Sequence, residues 1–228
     1  MATELEHEVN ALETGTHACL LYDDRAEQMA AVVPFIHEGL RLGHRCLYIV
    51  DDCTAADVFA ALSVADADVI GAVRSGALAV HAKQETYLRG GRFDPDAMLA
   101  FLADAIDDAV EAGYPRLRGT GEMTWALGPE PGTDRLLDYE AQLTGMIAPR
   151  PALIICQYNR PRFPPEIIRG VLLTHPTAIV GRRVYDNPFN ERPDLLPPGM
   201  TPAQEVDWML RELEERRAAA AGGGRANG

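Results

Sequence analysis

The chain has 228 residues, 47% of them apolar and 24% charged, which is enough for one domain with a buried core and a short tail. Its 34 acidic residues against 21 basic ones leave a formal net charge of -13. That balance excludes the concentrated positive surface needed to bind nucleic acid or to dock on an anionic membrane. No apolar run approaches the roughly 20 residues of a membrane span. The acidic, polar start MATELEHEVNALETGTH is unlike a signal peptide, and Cys19, Cys46, Cys53 and Cys156 form no CxxC pair, so a reducing, cytoplasmic location is expected.

In chain order, residues 1–14 are acidic and weakly periodic and are expected to be flexible. His17–Tyr22 (HACLLY) is a continuous apolar run, predicted as a strand buried on both faces. A helix over 25–42 gathers Met29, Val32, Val33, Ile36 and Leu40 on one side, and a second buried strand follows at Arg45–Val50. Ala77–Ala82 predicts a third strand. Asp94-Pro95 opens a helix over 94–112, an N-cap followed by a proline whose missing N–H costs nothing there. Pro115–Trp125 reads as a fourth strand and Ala152–Tyr158 as a fifth. Between them a helix over 133–147 carries Leu136, Leu137, Leu143 and Ile147, interrupted by Glu140. A helix over 164–173 and a Pro- and Asn-rich loop over 186–202 come next. Thr201 and Gln204, at capping-box spacing, start an amphipathic helix over 201–217. The end, 218–228, is expected to be disordered.

Strands alternating with helices imply crossover units and a three-layer α/β domain over 15–190, with a mainly parallel sheet flanked by helices. In such sheets ligands bind beyond the carboxyl ends of the strands. Those ends hold Tyr22-Asp23-Asp24, Asp51-Asp52, Gln84-Glu85, Glu122 to Trp125, and Gln157-Tyr158-Asn159. The fourth strand is unusual, because Arg118-Gly-Thr-Gly-Glu122 falls where a central strand should be apolar. A buried charge without a partner costs several kcal/mol, so Arg118 and Glu122 either line a pocket walled by Trp125, pair with each other, or lie on an edge strand.

His17, Cys19, Cys156 and His175 can be imagined as metal ligands, but their spacing matches no zinc pattern, and no metal is assigned. The paired acids Asp23-Asp24 and Asp51-Asp52 suit a general base or magnesium, or equally the capping of the helices that follow. There is no Gly-x-Ser-x-Gly elbow and no HExxH. The only lysine, Lys83, follows no glycine loop, so a Walker-type nucleotide site is absent.

Five stretches, HACLLYDDRAEQMAAVVPFIHEGLRLGHRCLYIVDD (17–52), ETYLRGGRFDPDAM (85–98), RLRGTGEMTWAL (116–127), LIICQYNRPRF (153–163) and LLTHPTAIVG (172–181), resemble in order the DcmR-type sensory, or MEDS, domain. That family is in turn similar to KaiC/RecA-type ATPases. The resemblance implies their fold without a phosphate loop, since the connection from Tyr22 to Gln28 has neither glycine nor lysine. Asp51-Asp52 match the second-strand acids of those ATPases.

The family's members are regarded as sensors of small organic compounds, fused to DNA-binding or kinase domains. No such segment is recognised in these 228 residues. The expectation is a non-enzymatic sensory module that regulates a separate kinase or transcription regulator. Its small organic ligand would be held by His17, Tyr22, Asp51, Arg118, Glu122, Trp125, Gln157, Tyr158 and His175. No cofactor, direct nucleic-acid contact or membrane is expected, and a homodimer is compatible with the terminal helix. The alternatives are a ligand-free interaction scaffold and an enzyme, either a residual nucleotide hydrolase or a hydrolase using Glu122 or Asp52 as base.

Overall fold

A computed structural model describes residues 2–65 and 67–223. Seven strands form one sheet in the order β3-β2-β4-β5-β1-β6-β7. They are β1 (His17–Tyr22), β2 (Arg45–Val50), β3 (Leu78–Ala82), β4 (Leu117–Glu122), β5 (Ala152–Asn159), β6 (Thr177–Val180) and β7 (Arg183–Asp186). All neighbours run parallel except β7, which returns antiparallel on β6. The chain thus has the expected helix-flanked, mainly parallel architecture.

Among the described residues eight α-helices cover the sheet: α1 (Glu4–Asn10), α2 (Arg25–Arg41), α3 (Ala55–Val64), α4 (Val69–Ser75), α5 (Pro95–Glu111), α6 (Leu136–Ile147), α7 (Pro165–Thr174) and α8 (Pro202–Gly223). The period-two alternation of the strands sends alternate residues to opposite layers. Ala18, Leu20 and Tyr22 of β1 join Val32, Phe35 and Ile36 of α2 in one core, with α1, α3 and α4. Cys19 and Leu21 join the other core, under α5 to α8.

The local signals behave as their chemistry requires. Asp94 caps α5 by accepting from the Asp96 and Ala97 amides, with Pro95 at the first helical position. Thr201 and Gln204 exchange side-chain and backbone hydrogen bonds at the start of α8. Several elements differ from the sequence expectation. Residues 4–10, expected to be flexible, form α1, because a Thr3–Glu6 capping box starts it and Leu5 and Val9 are buried. The terminal helix runs past 217 to Gly223, and the rest of the expected tail, 224–228, lies outside the described residues. Helices α3 and α4 and strands β6 and β7 are short and give weak periodic patterns.

Candidate functional site

The first chemistry-bearing region is the turn from β1 into α2. Asp24 caps α2 by accepting from the Glu27 amide, and Glu27 accepts in return from the Asp23 amide. Asp23 is held by a two-pronged ion pair to Arg160, which keeps its carboxyl below the usual range. The amides of Asp23 and Glu27 at this turn are thus taken by carboxylates, which place negative charge where a phosphate would bind at a helix N-terminus.

Behind that turn lies a carboxylate hub between the sheet and α2. Glu122, the last residue of β4, is buried. Its Oε1 accepts from Gln28 Nε2 at 3.3 Å and from the Tyr48 hydroxyl at 3.1 Å. Its Oε2 accepts from the backbone amides of Asp51 and Cys53, both at 2.9 Å. Gln157 Oε1 accepts from Gln28 at 2.8 Å, and Gln157 Nε2 donates to Thr120 at 2.8 Å. Burial, then the Glu122 charge, pushes the Tyr48 phenol well above its ordinary range. Tyr22 beside the hub is raised for the same two reasons in the same order, with Asp52 adding to them. Four donors on one carboxylate satisfy it fully, and this is how the charge is tolerated beneath α2.

Arg118 is on the same face but near the other end of β4, about 13 Å away by strand rise. Its Nε donates to His44 Nδ1 at 3.2 Å and its Nη1 to the Phe35 carbonyl at 3.1 Å, with the guanidinium over the Phe35 ring. β4 is flanked by β2 and β5, so it is not an edge strand. Arg118 and Glu122 neither pair with each other nor line one pocket. Trp125 is on the opposite face of the sheet, stacked on Tyr87 at 4.8 Å and beside Phe93 at 4.4 Å. It is a buried core residue and walls no cleft shared with Arg118 or Glu122.

That opposite face carries a second polar cluster. Glu140 projects from α6 onto β1 and β5, between two histidines. Its Oε2 lies 3.2 Å from His17 Nε2 and 3.4 Å from His175 Nε2. Cys156 Sγ lies 3.5 Å from the same oxygen and 3.4 Å from His17 Nε2. The Tyr158 hydroxyl donates to Oε1. All five side chains are buried. Burial opposes the Glu140 charge, yet the imidazoles around it outweigh burial and hold the carboxyl well below its ordinary range. Burial, helped by His175, lowers His17 to about 4. Burial, then Glu140, raises the Cys156 thiol.

The nine residues expected to hold a ligand therefore divide between four places. Tyr22, Glu122 and Gln157 meet at the hub beside the Asp51 amide, while Arg118 stands apart on the same face. His17, Tyr158 and His175 gather on the other face, near neither Trp125 nor the hub. Asp51 lines an open cleft, of about 580 Å³, at the carboxyl ends of β2 and β3 with Cys53, Thr54 and Lys83. There Asp51 pairs with Lys83 at 2.5 Å and accepts from the Thr124 hydroxyl at 2.7 Å. A second cleft, of about 420 Å³, lies between the ends of β1 and β6 and α8, lined by Asp23, Arg160, Asp207 and Arg211 among others. Sequence reasoning missed Glu140, Gln28 and Tyr48 as site residues. Glu140 gave a usable signal, a carboxylate inside an apolar helical stripe; Gln28 and Tyr48 gave none.

The sheet order and its flanking helices define a class: an α/β domain of RecA-type fold, with acids at the turn from β1 into α2. Two solved structures share the fold. They are a KaiC-like protein of Pyrococcus horikoshii OT3 (TM-score 0.53, 13% identity, 74% of this chain and 72% of that one) and the flagellar accessory protein FlaH of Methanocaldococcus jannaschii (TM-score 0.55, 12% identity, 80% and 81%). The family model described as the methanogen/methylotroph DcmR sensory domain, MEDS, matches residues 16–176, and the chain belongs to that family. It is 26% identical over 160 residues to the transcriptional repressor DcmR of Methylorubrum extorquens, and the match covers 70% of this chain and 57% of that relative's length. Among the described residues no helix is long and apolar enough to cross a membrane.

Proposed function

We propose that this domain is a cytoplasmic, non-enzymatic sensory module that takes a small organic ligand at the carboxyl edge of the sheet and regulates a separate protein. The family membership supports a sensory role, and the kinship to a transcriptional repressor supports an output in gene regulation, through a kinase or transcription regulator. The observation that carries the reading is Asp51. One face of this residue lines the cleft beside Lys83, and its amide donates to Glu122 in the hub beneath α2. A ligand that displaces Lys83 from Asp51 changes the charge balance next to a network reaching Gln28 of α2. To act as a switch it must favour one arrangement over the other, because equal affinity for both shifts nothing.

Calorimetric titration with a panel of short-chain alcohols, aldehydes and haloalkanes tests this. Binding by the wild type that weakens about tenfold or more in Lys83→Met and Asp51→Asn, with Arg118→Gln unaffected, is the expected result. Binding untouched by the first two substitutions moves the site elsewhere. A partner whose affinity is the same with and without saturating ligand removes the switch. The scaffold reading draws on the burial of the other eight expected residues. It predicts no binding by any panel member together with a stable partner complex.

A further inference from the structure

The cluster around Glu140 takes no part in the proposed ligand cleft, and its protons can be traced. The Thr144 hydroxyl lies 2.6 Å from the Thr174 carbonyl and 3.3 Å from the Glu140 carbonyl. Carbonyls only accept, so its single proton goes to one of them. His17 Nδ1, 2.7 Å from the same hydroxyl oxygen, is then the donor in that contact. His175 Nδ1 lies 2.8 Å from the Val171 carbonyl and must donate as well. In both rings Nδ1 is the donor to a fixed acceptor, so Nε2 is the atom turned toward Glu140 Oε2. The one thiol proton of Cys156 can satisfy His17 or Glu140 but not both. His175 Nε2 is buried with no hydrogen-bond partner. Two imidazole nitrogens, a sulfur and a carboxylate oxygen thus converge on one buried point, where a single cation would satisfy all four.

We propose that His17, Glu140, Cys156 and His175 bind one divalent transition-metal ion of the zinc type. The four ligand atoms lie within 4.8 Å of one another. The contacts of 3.2, 3.4, 3.4 and 3.5 Å among them are close to the edges of a tetrahedron with metal–ligand bonds of about 2.0–2.3 Å. Two imidazoles, a thiolate and a carboxylate are the donor set of a borderline ion and suit magnesium or calcium poorly. Binding releases the Cys156 proton to solvent. The dication, the thiolate and the carboxylate then sum to zero charge, which a fully buried position favours. The outer contacts are in place: Thr144 orients His17, the Val171 carbonyl orients His175, and Tyr158 holds the second oxygen of Glu140. Four protein ligands close the coordination sphere, which is the arrangement of a structural or sensing metal. It would tie together β1, β5, α6 and the end of α7.

The test uses the full chain, expressed in zinc-supplemented medium, purified without chelator and assayed for metal by mass spectrometry. About one equivalent of zinc per chain is expected. Because the site is buried, a second sample is unfolded, stripped of metal and refolded with Co²⁺. It should show thiolate-to-cobalt charge-transfer absorption in the near ultraviolet and tetrahedral bands in the visible. Cys156→Ser should abolish the charge transfer and His175→Gln should lower metal content about tenfold or more. Cys46→Ser, in the other core, should change neither. Should both ligand variants fail to fold, the wild type decides: refolding with zinc must raise its thermal midpoint above that of the metal-free sample. Trace metal with no cobalt spectrum, charge transfer that survives Cys156→Ser, or identical midpoints with and without zinc would each overturn the assignment.

Discussion

Two buried glutamates and one buried arginine show how single residues are made tolerable in this protein, each by different chemistry. Glu122 is surrounded by four donors, two of them backbone amides, whereas Glu140 is held between two imidazoles, a thiol and the Tyr158 hydroxyl. Arg118 depends on His44 staying neutral, because Nδ1 of that ring is the acceptor for Arg118 Nε. Burial, then Arg118, lowers the His44 pKa from 6.5 to about 4. With the folded value below the unfolded one, the unfolded chain binds the extra proton first, and stability is lost as pH falls from about 6.5 toward 4. Urea denaturation at pH 7 and pH 5 should show that loss in the wild type. In His44→Asn, whose amide oxygen can replace the acceptor, the loss should shrink by about 1 kcal/mol. An unchanged pH slope in the variant would remove His44 as its source.

At the scale of elements, β4 explains itself by its two faces. Arg118, Thr120 and Glu122 point toward α2, while Gly119 and Gly121 point toward α5 and α6. A Cβ on Gly119 would come within 2.6 Å of Ile154 Cδ1, and one on Gly121 would overlap the Tyr87 hydroxyl. The glycines thus let Tyr87, and the Trp125 and Phe93 rings packed with it, lie close to the strand. Gly121→Ala should cost about 2 kcal/mol in chemical denaturation, and Tyr87→Phe in the same chain should recover part of that. Strict additivity of the two substitutions would contradict the packing. The composition RGTGE is legible in the sequence as an anomaly. Its cause is not, because Tyr87 reaches β4 from a loop some thirty residues earlier.

For the molecule as a whole, the net charge of -13 and the carboxyl edge of the sheet act together. Three cations at that edge are already engaged: Arg160 with Asp23, Arg162 with Asp52 and Lys83 with Asp51. A triphosphate approaching α2 meets the acids Asp23, Asp24 and Glu27, two of which already hold amides of the turn. MgATP should therefore bind more weakly than about 1 mM by calorimetry and show no turnover. Hydrolysis that disappears in Glu122→Gln would restore the hydrolase reading, since Glu122 would then be acting as a base.

Apolar runs and capping residues were sufficient to read β1 to β5, α2 and α5 to α8 from the amino-acid order, because burial on both faces and helix starts leave local composition signatures. Motif order was likewise enough to indicate the sensory family and the lost phosphate loop. The strand ends also pointed to Asp51, Glu122 and Gln157, which the fold places around one buried hub. Which of these residues meet was decided only by the tertiary structure. The two-residue period of each strand sends Cys156 and Gln157 into opposite cores, one to Glu140 and the other to Glu122. Glu140 itself arrives from a helix, more than a hundred residues after His17 in the chain. Spacing cannot carry such information, because the contact is set by strand order and helix packing.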